Sequence, residues 1–220
     1  MLKTASDPAP RLLLRAEGPA SLLLRPDHLR AEISVQVLEL EVSRAVALVE
    51  SAVDAAARDL ASALPGARVV LAGLDLRRNL DKSSRASQEI AAVVCSGHIH
   101  VPLAADAGYW PRARAVATLH AILAAAASAG AKLKHPLQLG FSPALALVDD
   151  PEHHRLALIE RWLARARELA TRAQAQGLCG ALHLRECAVP GPVTQHPRTL
   201  EELELRLALD APLIATPAGD

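Results

Sequence analysis

Hydrophobic and polar positions alternate most clearly between Leu29 and Leu40. Ala31, Ile33, Val35 and Val37 fall on one side, and Arg30, Glu32, Ser34 and Gln36 on the other. Period two over this length predicts a strand with one face buried. The period then changes. From Ser43 to Leu64, Val46, Val49, Val53, Ala56, Ala57 and Leu60 recur three and four residues apart, which predicts a helix with Ser43 as N-cap and Pro65-Gly66 as its stop. Two more helices are predicted. One covers 111–129, with Pro111 in its first turn and Gly130 ending it. The other covers 150–176, capped by Asp149 or Asp150 and ended by Gly177, with Leu156, Ile159, Leu163, Ala166, Leu169 and Ala173 as its apolar stripe.

Strands are predicted at 67–76, 88–103, 137–148 with a bulge at Ser142-Pro143, 181–188 and 203–209. Residues 77–87 are polar and suit an exposed loop or hairpin tip, and 190–197 carry three prolines and suit a loop. Before the long strand, Leu12–Leu14 and Leu22–Leu24 flank Glu17-Gly18-Pro19, spacing that suits a hairpin. Pro26-Asp27 then forms a corner in which Asp27 is expected to bond backbone N–H groups just after it. The expected fold class is α+β, a mostly antiparallel sheet with helices packed on one side. The expected organisation is a tail at 1–10, a single domain at 11–209 with a division into two lobes near 104–111, and a tail at 210–220.

This order of elements resembles the SIMPL domain family. The resemblance rests on the Gly18 hairpin and Pro26-Asp27 corner before the first helix, and on Ala129-Gly130-Ala131 followed by a strand. Asp149-Asp150 then precedes an Ala/Arg helix with Ala164, Ala166, Ala170 and Ala173, ending at Gly177. The segment at 77–87 departs from the pattern, and no leader is visible. The resemblance implies a SIMPL-like fold and a protein that acts by self-assembly or partner interaction, related to stress or to the cell envelope. Some members form large rings, and members often carry export signals, so a periplasmic location stands as the alternative to the cytoplasmic one.

Composition narrows the chemistry. Hydrophobic residues are 51% of the 220, mostly aliphatic, and aromatics only 2%, which leaves few platforms for stacking bases. Lys+Arg and Asp+Glu are 24 each, so no global charge draws the chain to nucleic acid or an anionic surface, and self-association meets little repulsion. A homo-oligomer is therefore expected. Cys95, Cys179 and Cys187 form no C-x-x-C pair and suit free thiols in a reducing compartment. The N-terminus has no apolar signal segment. The apolar run Ala115–Ala129 is interrupted by Thr118, His120 and Ser128, so no membrane span is expected.

His98-Ile99-His100 is the sharpest local feature. On a strand both imidazoles share a face and could reach one metal ion, but His120, His135, His153, His154, Glu186 and Asp106 have no spacing that ties them to the pair. The competing expectation places both rings on the outer face of a half-buried strand, with Ile99 and Val101 toward the helices. A two-histidine phosphoesterase needs a hydroxyl two residues after each histidine. His98 and His183 have His100 and Arg185 there. Gly140-Phe141-Ser142-Pro143-Ala144 is not a nucleophile elbow, and no phosphate-binding glycine loop occurs. Arg77, Arg78, Lys82 and Arg85 make a basic patch offset by Asp75 and Asp81. Tyr109-Trp110 is either a contact anchor or a plug under the second helix. No catalytic set, cofactor or metal is expected. A non-enzymatic assembly protein leads, with a metal-binding or hydrolytic enzyme centred on His98 and His100 as the alternative.

Overall fold

The structure is a computed structural model that describes residues 13–15, 19–81, 88–133, 136–177, 182–184, 191–209 and 212–215. Two compact units form: Arg25–Asp149 with Pro197–Leu203, and the remaining described residues. The boundaries fall at the strand ends near residues 25, 149, 197 and 203. Residues 104–111, the expected dividing point, lie inside the first unit.

The larger unit is built on an antiparallel sheet. Its strands are β3 (His28–Glu39), β4 (Arg68–Asp81), β5 (Gln88–Pro102), β6 (Leu137–Phe141) and β7 (Leu145–Leu147), in the order β4-β5-β3-β6 with β7 also paired to β3. Leu29, Ala31, Ile33, Val35 and Val37 of β3 are buried, as their alternation predicts. They share the inward face with Val93, Cys95, Ile99 and Val101 of β5. Helices α1 (Val42–Ala63) and α2 (Tyr109–Ala131) cover that face, α1 through Val49, Val53, Ala56 and Leu60 and α2 through Leu119 and Leu123. The fold is α+β with helices on one side of an antiparallel sheet.

Several boundaries differ from expectation for local reasons. Ser43 lies inside α1, and the N-cap is Glu41 with no side-chain bond. Gly130 does not stop α2 but sits in its last turn. A Cβ there would lie 2.9 Å from Leu137 Cδ2 and from Leu137 O, so the glycine lets β6 approach the helix. β4 runs on to Asp81, into the segment expected to be a loop. Despite Thr118, His120 and Ser128, α2 is long and apolar enough to cross a membrane by length and composition.

The smaller unit contains α3 (Arg155–Ala175), preceded by a 3-10 turn at Pro151–His154 whose Asp150 side chain accepts the His153 N–H at 3.1 Å. Gly177 follows with φ 68°, the left-handed angle expected of a helix stop. The buried stripe of α3 is Leu158, Trp162, Ala166 and Ala173, whereas Leu156, expected inside, is 67% exposed. The expected hairpin does not form. β1 (Leu13–Arg15) pairs with β11 (Pro212–Ala215), which also pairs with β8 (Leu182–Leu184), while β2 (Ala20–Leu24) joins β10 (Leu203–Leu207) and β9 (Thr194–Pro197). β9 lies in the segment expected to be a proline loop. β11 lies in the segment expected to be a tail.

Candidate functional site

The Pro26-Asp27 corner is where polar chemistry gathers. The Asp27 N–H donates to Leu147 O at 3.0 Å, and Asp27 O accepts the Leu103 N–H at 2.7 Å. The corner is thereby clamped between the end of β7 and the end of β5. The Asp27 carboxylate does not bond the N–H groups just after it, as expected of a simple turn former. It accepts the backbone N–H of Asp149, at 3.1 Å and 3.3 Å to its two oxygens, and pairs with His28 Nδ1 at 2.7 Å.

His28 opens β3 on its outer face and is nonetheless buried. Pro102 of β5 lies opposite it, so His100, two residues back along the antiparallel partner, is its diagonal neighbour on the same face. The two imidazoles stack, with centroids 4.4 Å apart and planes 20° from parallel. Asp149, just beyond β7, brings Oδ1 to 3.8 Å from His100 Nε2. One ligand-capable atom from each of His28, His100 and Asp149 lies within 4.8 Å of the other two.

An ionised Asp27 can only accept, so the proton of neutral His28 sits on Nδ1 and Nε2 carries the lone pair. His100 Nδ1 is buried and has no hydrogen-bond partner. Burial lowers the pKa of His100 below its ordinary value, helped by the neighbouring His28 and Arg68 and opposed by Asp149 and Asp27. His98 is lowered too, first by burial and then by Arg30, against Glu32. Both histidines therefore favour the neutral, lone-pair-bearing form.

The structure separates the two histidines singled out in sequence. Ile99 and Val101 face the helices and His98 and His100 the other side, as their alternation predicts. His98 sits one pleat away, opposite Glu32 and Val70, while only His100 joins the cluster. His120 is exposed on α2 and packs edge-on against Phe141. His153 and His154 lie in the 3-10 turn, edge to face with each other. Asp106 is exposed. His135, Arg185, Glu186, Cys179, Cys187, Lys82 and Arg85 lie outside the described residues. Ser142 Oγ is engaged by Pro143 O and the Glu32 N–H, which makes it a loop fastener. Arg77 pairs with Asp75 at 2.7 Å. Trp110 is 72% exposed beside Tyr109, so the pair is no core plug.

No family model matches the chain, and no curated protein does. Among solved structures it is similar to the crystal structure of a hydrolase from Listeria innocua, with 9% identity over 86% of this chain and 91% of that one, at a TM-score of 0.23. A likeness of that size carries no argument about activity.

Sequence reasoning missed three members of the cluster. Asp27 and Asp149 were assigned to turn and cap, and His28 was passed over. The only signal available was the Asp27-His28 dipeptide at a proline corner. Arg112 was missed as well. It is fully buried and donates to Pro26 O at 2.9 Å, Leu200 O at 3.0 Å, Ala107 O at 2.8 Å and Ala104 O at 3.4 Å. Its partners are the backbone of the corner and adjoining loops, so its work is structural.

Proposed function

We propose that this chain is a non-enzymatic, SIMPL-like protein that acts through assembly with copies of itself. The observation that carries the reading is the free edge of β4. This strand ends the β4-β5-β3-β6 order, and Leu71, Leu74 and Leu76 on it are each more than half exposed. The irregularity between Leu71 and Gly73 shifts the side-chain parity, so all three leucines fall on the face shared with Cys95 and Val93. There Leu71 and Leu74 border an open groove of about 440 Å³ also lined by Val46, Val49 and Val53 of α1.

Natural proteins usually blunt an apolar edge of this kind, because its unpaired N–H and C=O groups recruit another strand. A second copy fits the charges. In antiparallel self-pairing centred on Leu76, Asp75 of each copy lies opposite Arg77 of the other, a cross-strand pair worth about 0.2–1 kcal/mol. The resemblance to SIMPL proteins points the same way. The chain's zero net charge leaves little repulsion to overcome.

Light scattering across a concentration series tests this. A mass well above the 23.2 kDa of one chain is expected, falling toward it in a Leu74→Lys, Leu76→Lys variant and unchanged in Leu156→Lys, which alters an exposed leucine on α3. A wild-type mass of one chain at every concentration sinks the proposal.

A further inference from the structure

We infer that His28, His100 and Asp149 form a binding site for a divalent ion of the zinc class, with Asp27 orienting His28 from behind. This goes beyond the assembly reading and stands independently of it.

Four observations converge. Ligand-capable atoms of the three residues lie within 4.8 Å of one another. Two imidazoles and a carboxylate are a zinc donor set, and three protein ligands leave a position open for water or a partner's group. Asp27 holds His28 Nδ1 at 2.7 Å, the carboxylate–histidine arrangement that fixes the tautomer and raises the basicity of the nitrogen facing the metal. Finally, His100 keeps a buried ring nitrogen without a hydrogen-bond partner, an unfavourable state that ligation or the ring turn accompanying it relieves.

The geometry requires a modest closure. Zinc–ligand bonds of about 2.0–2.1 Å at tetrahedral angles bring ligand atoms to about 3.3 Å from each other. Asp149 is 71% exposed in its side chain and free to swing inward. The two rings turn out of their stack so that their lone pairs converge. His98, one pleat away, takes no part. Arg30 and Arg68, opposite His100 on the flanking strands, add positive charge near the site and set a limit on its affinity.

The test uses the full chain without an affinity tag and zinc ion alone, titrated calorimetrically. One saturable ion per chain is expected. Asp149→Asn and His100→Gln should each weaken binding at least tenfold, and His98→Gln should leave it unchanged. Asp27→Asn keeps an oxygen for the Asp149 N–H but offers His28 a donor, so the ring must flip its tautomer, and a 10- to 100-fold loss of affinity is expected. Nitrogen NMR of the imidazoles reads that flip without any metal. Cobalt(II) alone should give the intense visible bands of a tetrahedral site. Asp149→Asn alters only an exposed side chain, so its effect is not confounded by unfolding. Absence of saturable zinc binding, binding unaffected by Asp149→Asn and His100→Gln, or loss caused by His98→Gln would each overturn the assignment. The cluster would then be a stacked histidine pair with Asp27 fastened to one ring.

Discussion

Replacing Arg112 by methionine should destabilise the larger unit by about 1–3 kcal/mol, the cost of one orphaned buried carbonyl. Methionine preserves most of the buried volume and removes every donor. The four carbonyls that Arg112 serves do not suffer equally. Ala107 O also accepts from Arg25 Nη2 at 2.8 Å, and Ala104 O accepts the Ala107 N–H at 3.1 Å, so both keep a donor. Pro26 O and Leu200 O depend on the Arg112 Nη1 group at 2.9 and 3.0 Å. Orphaning the buried Pro26 O costs about 1–3 kcal/mol, and Leu200 O, only part-buried, costs less because water can reach it. Against that stands the relief of no longer burying a guanidinium, whose pKa burial already pulls below its ordinary value. Burying a charge is expensive, and apolar isosteres of buried ion pairs are sometimes neutral or better. The structure tips the balance because Arg112 is fastened to backbone on three separate segments, none of which can reorient to water as a carboxylate partner would. Amide hydrogen exchange reads the result by segment. Protection should fall on β3 and β5, and α3 in the other unit serves as the internal reference. Arg112→Lys should recover part of the loss, since one ammonium can reach one or two of the carbonyls but not all. Unchanged or increased protection of β3 and β5 in Arg112→Met would refute the reasoning.

Other substitutions probe separate links. Gly97→Ala would place a Cβ 2.4 Å from Val70 O and 3.1 Å from Leu71 Cα, backbone atoms that cannot rotate away, so β4 must part from β5. A fall in urea stability of about 2–4 kcal/mol is expected, and a neutral outcome would mean the strands tolerate the shift. Leu60→Ala empties a fully buried position in the core beneath α1 and should cost about 2–5 kcal/mol by the same assay, whereas a cost below 1 kcal/mol would show that the site collapses. Glu152 is held below the ordinary carboxylate range by Arg155, at 2.6 Å, and then by the Val193 N–H. A lowered folded pKa gives stability that is present above the ordinary value and lost as pH falls through the folded one. Exchange protection of the Val193 amide should therefore drop in acid, and Glu152→Gln should abolish that pH dependence; a profile identical in wild type and variant would contradict the assignment.

What could be foreseen in the sequence tracks how local each determinant is. β3 alternates from Leu29 to Val37, and α1 repeats its apolar positions from Val46 to Leu60, so both announce their buried faces; only at Leu38-Glu39 does the strand invert the rule, the leucine exposed and the glutamate buried. The expected stripe of α3 holds at Ala166 and Ala173 but is out of phase in the first turns, where Leu156, Ile159 and Leu163 form as good a pattern as the buried Leu158 and Trp162. Only packing decides between two apolar faces on one helix. β1 and β2 were paired because they are neighbours, yet each finds its partner near the other end of the chain, in β11 and β10. Three-residue apolar runs carry no information about partners that distant. The β4 edge was invisible for another reason, since Leu71, Leu74 and Leu76 look like core until the sheet order leaves them at the margin.

The cluster at the corner was illegible because its members were each explained without it. Asp27 follows a proline, Asp149 precedes a helix and His28 begins a strand, and turn, cap and strand-end are adequate accounts of each alone. What joins them is the antiparallel register. Once His28 lies opposite Leu147 on one side and Pro102 on the other, His100 is two residues away on β5 and Asp149 two residues beyond the end of β7, so the register brings both to His28. The hydrogen bonds that fasten the corner, donated by Asp27 N–H to Leu147 O and accepted by Asp27 from the Leu103 and Asp149 N–H groups, are therefore the same ones that place the two rings and the second carboxylate. A residue chosen for the turn thus builds a polar site with no added backbone ordering, because the order the site needs is already demanded by the sheet; what the site adds is the unpartnered His100 nitrogen. It follows that fold and site cannot be separated by deleting Asp27, only by exchanging its acceptor for a donor while keeping its reach.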